Sequence, residues 1–153
     1  LANTGKVDQL VLNQAIDNFK INSYSQSMDI KNFNVSFARG LSLEDGCATI
    51  TDFTAYLIVE GIKYISQKNS ITFLVCGGGR KNVSLIESIK NYLSDKDNIT
   101  LETIDNYNLK GDYVESQAFA FLAIRSFLNL PISFSTTTGC KDFTVGGKLE
   151  ENF

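Results

Sequence analysis

The pattern of apolar and polar positions predicts alternating helices and strands through the middle of the chain. Apolar residues recur at helical spacing over residues 50–65, behind a Ser-Leu-Glu-Asp stretch that suits a helix N-terminus. Residues 71–76 are almost all apolar, which is typical of a strand covered on both faces. A helical stripe over residues 84–93, a second strand over 99–104 and a strong helix over 112–128 complete the series.

This order indicates an α/β fold with a parallel sheet. A helix–strand–helix–strand–helix core over residues 42–130, with short connections, implies parallel strands joined by right-handed crossovers. A helix predicted at 7–19 and a polar loop over 20–41, with room for a short helical turn, precede this core. A C-terminal segment over 131–153 follows it. Because a covered parallel sheet normally has more than two strands, we expect the chain to be part of a larger α/β domain whose other strands lie upstream.

Composition narrows the classes of function. The 153 residues are 43% hydrophobic and carry a net charge of −3, which favours neither nucleic acid nor a membrane as the main partner. No apolar run approaches the roughly 18 residues of a membrane span. Three widely spaced cysteines are expected to be free thiols in a reducing cytosol. Histidine is absent, so imidazole-based triads and histidine-ligated metal sites cannot come from this chain alone.

A run of three glycines is the first candidate for a binding site. Gly77, Gly78 and Gly79 follow the first predicted strand and lead into a helix, at the edge of a parallel sheet where ligands bind. A tight turn needs one or two glycines, whereas three in a row favour close approach of a ligand to the backbone. The run matches neither the Walker A loop nor the GxGxxG fingerprint.

The residues after the glycines leave two alternatives open. Ser84 and Glu87 have the spacing of a capping box, which would leave the Asn82 amide free to bind a base or a ribose. Asn82 is equally suited to cap the helix itself. Arg80 and Lys81 are positioned to face phosphates, although two adjacent cations after a turn are usually solvated, and we expect solvation here.

Glu115 is the candidate for a contact to substrate. Asp112 and Glu115 also have capping-box spacing, which is the alternative role. On the predicted helix, however, Glu115 is aligned with apolar residues three, four and seven positions later, on a stripe expected to face inward. A carboxylate at the end of such a stripe, near the ligand edge of the sheet, is suited to binding substrate hydroxyls.

The hydroxyl-rich residues 135–139, Ser-Thr-Thr-Thr-Gly, also have two interpretations. Their hydroxyl and backbone groups are suited to a ligand, but the same residues are compatible with an exposed edge strand that ends in a turn.

Several stretches, in this order, resemble the C-terminal part of the anhydro-N-acetylmuramic acid kinase family. They are GKVDQLVL, SLEDGCATITDFTA, VCGGGRKN, GDYVESQAFAFLA and TTTGCKDFTVGG, which are distributed over residues 5–147, and the resemblance extends over essentially the whole chain. The resemblance implies the actin-like ATPase fold, of which this chain holds part of a second, ribonuclease-H-like domain with parallel strands and flanking helices. It also implies a cytoplasmic enzyme that uses ATP and Mg²⁺.

The family's reaction and site residues follow as expectations from this resemblance. Its members open the 1,6-anhydro ring of the amino sugar with water and phosphorylate the 6-hydroxyl during peptidoglycan recycling. The residues Gly77, Gly78, Gly79 and Asn82 match the turn that holds the adenosine, and Glu115 matches an acidic position near the sugar. No metal ligand and no catalytic residue is expected within this chain.

The resemblance also implies that these residues do not suffice for catalysis. The family's phosphate-binding loop and the aspartate that activates water do not occur in the sequence. We therefore expect a fragment that is inactive without an N-terminal kinase half, and the family's tendency to dimerise makes a homodimer a further expectation. Three other interpretations stay open: another sugar kinase of the same superfamily, a non-catalytic nucleotide-binding remnant, and a structural or protein-interaction domain.

Overall fold

The computed structural model describes residues 1–19, 31, 33–65 and 70–150, and it shows a mixed α/β arrangement. Its helices and strands are, in chain order, α1 (Gln9–Asn18), α2 (Leu43–Ile65), β1 (Ile71–Val75), α3 (Val83–Tyr92), β2 (Ile99–Thr103), α4 (Val114–Phe127) and α5 (Ser135–Thr138). Short 3₁₀ helices lie at Ser36–Ala38, Gly78–Lys81 and Ile104–Tyr107. The predicted elements are confirmed, with ends that differ by a few residues. Most of the predicted polar loop at 20–41, namely residues 20–30 and 32, lies outside the described residues.

The two strands pair in parallel, as predicted. Ile71 lies opposite Ile99, and Val75 lies opposite Thr103. One face of this sheet packs against α2 and α3 through Phe73 and neighbouring apolar residues. The expectation that both faces are covered is wrong for the described residues, because α2 and α3 pack on one face only and Leu74 on the other is 43% exposed.

The buried core lies along α2. One cluster joins α2 to α3 and the sheet and contains Val59 and Ile89, and the other joins α2 to α1. In the second cluster the Phe53 ring meets the Phe37 ring edge to face, with centroids 5.0 Å apart. Thr49 is fully buried there, and its hydroxyl accepts a hydrogen bond from the Asp8 backbone N–H, which ties the start of α1 to α2. The helices packed in these two clusters support the sheet, including the edge at which the carboxyl ends of its strands lie.

Helix α4 departs from its predicted environment. None of its residues is buried, so the stripe aligned with Glu115 does not face inward within the described part of the chain. The helix ends with Asn129 in the left-handed region (φ 54°), where the Leu130 N–H donates to the Arg125 carbonyl. The described helices contain no segment with the length and apolar character needed to cross a bilayer.

The hydroxyl-rich residues of the C-terminal segment form a helical turn instead of a strand. Residues 135–138 form α5, which ends at Gly139 in the left-handed region, so the edge-strand alternative for these residues is wrong. An antiparallel bridge between Ser133 and Thr144 closes the loop around this turn.

Candidate functional site

The glycine turn lies where the carboxyl ends of the two parallel strands meet. Gly77 has φ 73° and ψ −175°, a backbone conformation open essentially to glycine alone. Its N–H donates to the Gly111 carbonyl over 3.0 Å, which joins the turn after β1 to the segment that leads into α4. The fold therefore requires glycine at position 77.

Gly78 and Gly79 differ from Gly77 because no contact in the described structure requires glycine there. Neither has φ in the left-handed region, and a Cβ added at either would meet nothing within 4 Å. At Gly111, by contrast, an added Cβ would lie 2.6 Å from Nε of Arg80. Two consecutive positions thus present bare backbone to open space at the edge where α/β sheets bind ligands.

Arg80 fixes this turn against the segment that follows β2. Its Nη1 donates to the Gly77 carbonyl over 2.8 Å and to Asp112 Oδ1 over 2.8 Å. Its Nε donates to Asp105 Oδ2 over 2.7 Å. Only 9% of the side chain is exposed, so the prediction of a solvated cation is wrong for Arg80. One planar guanidinium thereby joins the glycine turn, the end of β2 and the start of α4.

The cationic side chains of the turn lower the pKa of both neighbouring aspartates. Hydrogen bonds from Arg80 and then Lys81 hold the pKa of Asp112 well below its usual range, and the hydrogen bond from Arg80 lowers the pKa of Asp105. Lys81 Nζ lies 2.7 Å from Asp112 Oδ1, although 63% of the lysine side chain is exposed. Both aspartates, and Asp112 especially, are consequently poor bases near neutral pH, because a carboxylate that is stabilised in its charged form has a low affinity for protons.

Asn82 caps helix α3, which is one of the two roles predicted for it. Its Oδ1 accepts a hydrogen bond from the Leu85 backbone N–H over 3.2 Å. The proposed capping box of Ser84 and Glu87 is wrong, because the helix already begins at Val83 and places Ser84 in its first turn. The cap uses the side-chain oxygen of Asn82, and the amide nitrogen of the same group takes no part in it.

Glu115 lies on the surface in the first turn of α4. The capping box of Asp112 and Glu115 is also wrong, since Tyr113 occupies the N-cap position without a side-chain hydrogen bond and Asp112 pairs with Arg80. Glu115 is thus three residues beyond the anchored Asp112, and its side chain is exposed.

The site does not fit a magnesium ion. Mg²⁺ prefers oxygen ligands, but the neighbouring carboxylates of Asp105 and Asp112 are engaged by cationic side chains. No group of three or more residues suited to a metal occurs among the described residues.

The structure adds Asp105 to the residues that sequence reasoning had singled out, and it gives Arg80 a role that the sequence did not indicate. Their partnership spans 25 positions of sequence, so no local pattern indicates it. One signal was available: the ends of parallel neighbouring strands meet at one edge, which brings the residues after β1 and after β2 together.

Comparison with known proteins identifies the family of the chain. The family model described as anhydro-N-acetylmuramic acid kinase matches residues 4–151. The chain belongs to the anhydro-N-acetylmuramic acid kinase family. A kinase of that name from Pelagibacter ubique is 49% identical over 157 residues, covering 99% of this chain and 41% of the relative. Kinases of the same name from Zymomonas mobilis and Rhizobium rhizogenes are 36% and 34% identical, over 81% and 99% of this chain respectively.

The match covers a minor part of each relative. The chain spans 41%, 33% and 40% of the length of these three anhydro-N-acetylmuramic acid kinases. The glycine turn, Arg80 and Glu115 all fall inside the matched range of residues 4–151.

Proposed function

We propose that this chain is the C-terminal part of an ATP-dependent kinase that opens and 6-phosphorylates 1,6-anhydro-N-acetylmuramic acid. The observation that carries the proposal is the bare backbone at Gly78 and Gly79, which the described fold does not itself require. It occurs at the ligand edge of a parallel sheet in a member of this kinase family. In the proposed assembly the partial domain has the ribonuclease-H-like topology of actin-like ATPases.

The glycine turn is proposed to form the wall that receives the adenosine of ATP. A flat base and a ribose can approach a backbone without Cβ atoms more closely than one that carries them. The hydrogen bonds of Arg80 to Gly77, Asp105 and Asp112, which we call the clamp, hold the turn in place before nucleotide binds. A turn that is already ordered lowers the conformational cost of binding. The amide nitrogen of Asn82, which the helix cap does not use, is the proposed donor to the nucleotide.

Glu115 is the proposed contact to the sugar. Its carboxylate is exposed at the start of α4, next to the segment that Arg80 anchors, and it can accept hydrogen bonds from sugar hydroxyls. The charged environment of Asp112 makes that residue a less suitable partner, because Arg80 and Lys81 already occupy its oxygens.

The groups that move the phosphoryl group are proposed to lie outside this chain. Phosphoryl transfer needs metal-held phosphates and a residue that orients or activates the nucleophile. Asp105 and Asp112 are engaged by Arg80, which leaves neither of them free to hold Mg²⁺ or to act as a general base. We assign these roles to an N-terminal kinase half.

Complementation tests this division of roles. The chain is assayed with ATP, Mg²⁺ and 1,6-anhydro-N-acetylmuramic acid, first alone and then with the part of the Pelagibacter ubique kinase that the match leaves uncovered. We expect phosphorylated sugar only from the mixture, and a Glu115→Gln variant in the mixture should raise the KM for the sugar more than the KM for ATP. Turnover by the chain alone would contradict the proposed division, and a mixture that phosphorylates only other sugars would contradict the proposed substrate.

A further inference from the structure

Helix α4 has the composition of a helix that is covered on all sides. Its sequence is VESQAFAFLAIRSF, in which Glu115 and Arg125 are the charged residues. A helix that is apolar around its circumference belongs in the interior of a larger protein. Yet Phe119 is 65% exposed, Phe121 is 59% exposed and Phe127 is 71% exposed.

These side chains point in different directions. Phe119 and Phe121 are two residues apart, which at 3.6 residues per turn separates them by about 200° around the helix axis. Ile124, which is 60% exposed, lies on the side of Phe121. A single flat contact covers one side of a helix, so both sides can be buried together only when the helix enters the interior of a domain.

An apolar groove continues the exposed surface on the side of Phe119. It has a volume of about 610 Å³ and runs between α4 and the C-terminal segment, with Leu122, Ile132 and Leu149 among its lining residues. The hydroxyl of Ser126 donates to the Gly146 carbonyl and holds the segment beside the helix. We call the exposed residues of α4 together with this groove the α4 face.

The buried core of the described residues does not reach the α4 face. Neither buried cluster, the one joining α1 to α2 or the one joining α2, α3 and the sheet, contains a residue of α4. Contiguous exposed apolar surface of this kind marks a site of interaction in a soluble protein.

We propose that the α4 face packs against the N-terminal part of the kinase, which covers both sides of the helix. The inference rests on the proposed function, in which such a part exists. The match covers 41% of the Pelagibacter ubique relative, so more than half of that kinase lies outside the matched region. That length is ample to enclose a 14-residue helix, whereas a second copy of this chain would cover one side of it.

Association without nucleotide or sugar tests this proposal separately from the proposed function. The tagged chain is mixed with the complementary part of the Pelagibacter ubique kinase, and the Kd is measured by biolayer interferometry. Phe121→Ser is compared with Leu10→Ser, a matched change on α1 at a residue that is 80% exposed. Because both residues are exposed, both variants should keep the circular dichroism and Tm of the unaltered chain.

We expect the unaltered chain and Leu10→Ser to bind alike, and Phe121→Ser to bind at least tenfold more weakly. Gly78→Val, which alters the proposed nucleotide wall, should bind the complementary part as tightly as the unaltered chain. Equal Kd values for Phe121→Ser and Leu10→Ser, or no binding by the unaltered chain, would overturn the proposal. So would sedimentation of the chain alone as a dimer that Phe121→Ser dissociates, because the face would then belong to a second copy.

Discussion

The adjacent glycines of the turn should respond in opposite ways to the same substitution. Gly77 has φ 73° and ψ −175°, so Gly77→Ala forces an L-residue into a region that costs about 1–3 kcal/mol. Gly78 has ordinary φ, and a Cβ there meets nothing within 4 Å. Gly78→Ala should therefore increase the free energy of unfolding by about 0.4–1 kcal/mol, because alanine restricts the unfolded chain.

These free energies correspond to measurable shifts in melting temperature. For a chain of about this length, 1 kcal/mol moves Tm by roughly 2–4 °C. Gly78→Ala should thus raise Tm by about 1–4 °C, whereas Gly77→Ala should lower it by at least about 2 °C. Thermal and urea unfolding followed by circular dichroism give both quantities for the two variants and the unaltered chain.

The same position should show its role in function when the added side chain is larger. In the kinase complemented with its N-terminal part, Gly78→Val should raise the KM for ATP about 10-fold or more, equivalent to roughly 1.4 kcal/mol of binding. The KM for the sugar should change much less, because the valine methyl groups block the nucleotide wall only. A loss of stability on Gly78→Ala, or equal rises in both KM values on Gly78→Val, would refute the reasoning that this glycine serves the nucleotide and not the fold.

Three further predictions concern the clamp and the core. Arg80→Ala should both lower Tm and weaken ATP binding. Arg80→Lys should restore neither property fully, because lysine lacks the planar guanidinium that bonds to Asp105 and Asp112. Full rescue by lysine would contradict the role of the clamp. Ile89→Ala should lower the free energy of unfolding by about 2–5 kcal/mol because Ile89 is 3% exposed. Ile124→Ala on α4 should change the free energy of unfolding by no more than about 0.5 kcal/mol. Equal losses for the two variants in urea unfolding would contradict the assignment of Ile89 to the core. The folded-state pKa of Asp112 lies below its unfolded value of about 3.9, so its contribution to stability is present above that pH and is lost as pH falls further. Asp112→Asn should therefore flatten the loss of stability between about pH 5 and pH 2 in acid unfolding, and an unchanged slope would contradict the pairing.

Local sequence patterns predicted the elements because each depends on neighbouring residues. The parallel pairing of β1 and β2 follows from the helix between them, and the glycine at position 77 fits the tight turn that the sequence places after the first strand. The cap of α3 was harder to predict, since Asn82 and Ser84 are both good caps and the choice depends on where the chain leaves the turn.

Longer-range features could not be predicted in the same way. The partners of Arg80 lie 25 and 32 positions away, and only the assembled sheet edge brings them together. The environment of α4 is a different case, because its apolar sequence predicts a covered helix, whereas the described residues leave the helix exposed. The proposed packing of α4 against an N-terminal part of the kinase would account for this difference.

The central claim, that the glycine turn receives the adenosine of ATP, can be tested most directly by nuclear magnetic resonance. The ¹⁵N-labelled chain is titrated with ATP and, separately, with adenosine, and the shifts of the backbone amides are followed. Because Arg80 already holds the turn in place, both ligands should shift the amides of Gly77, Gly78 and Gly79 even in the chain alone, with smaller changes elsewhere. Amides of the turn that stay unshifted at saturating ATP, or shifts concentrated on another surface, would contradict the account.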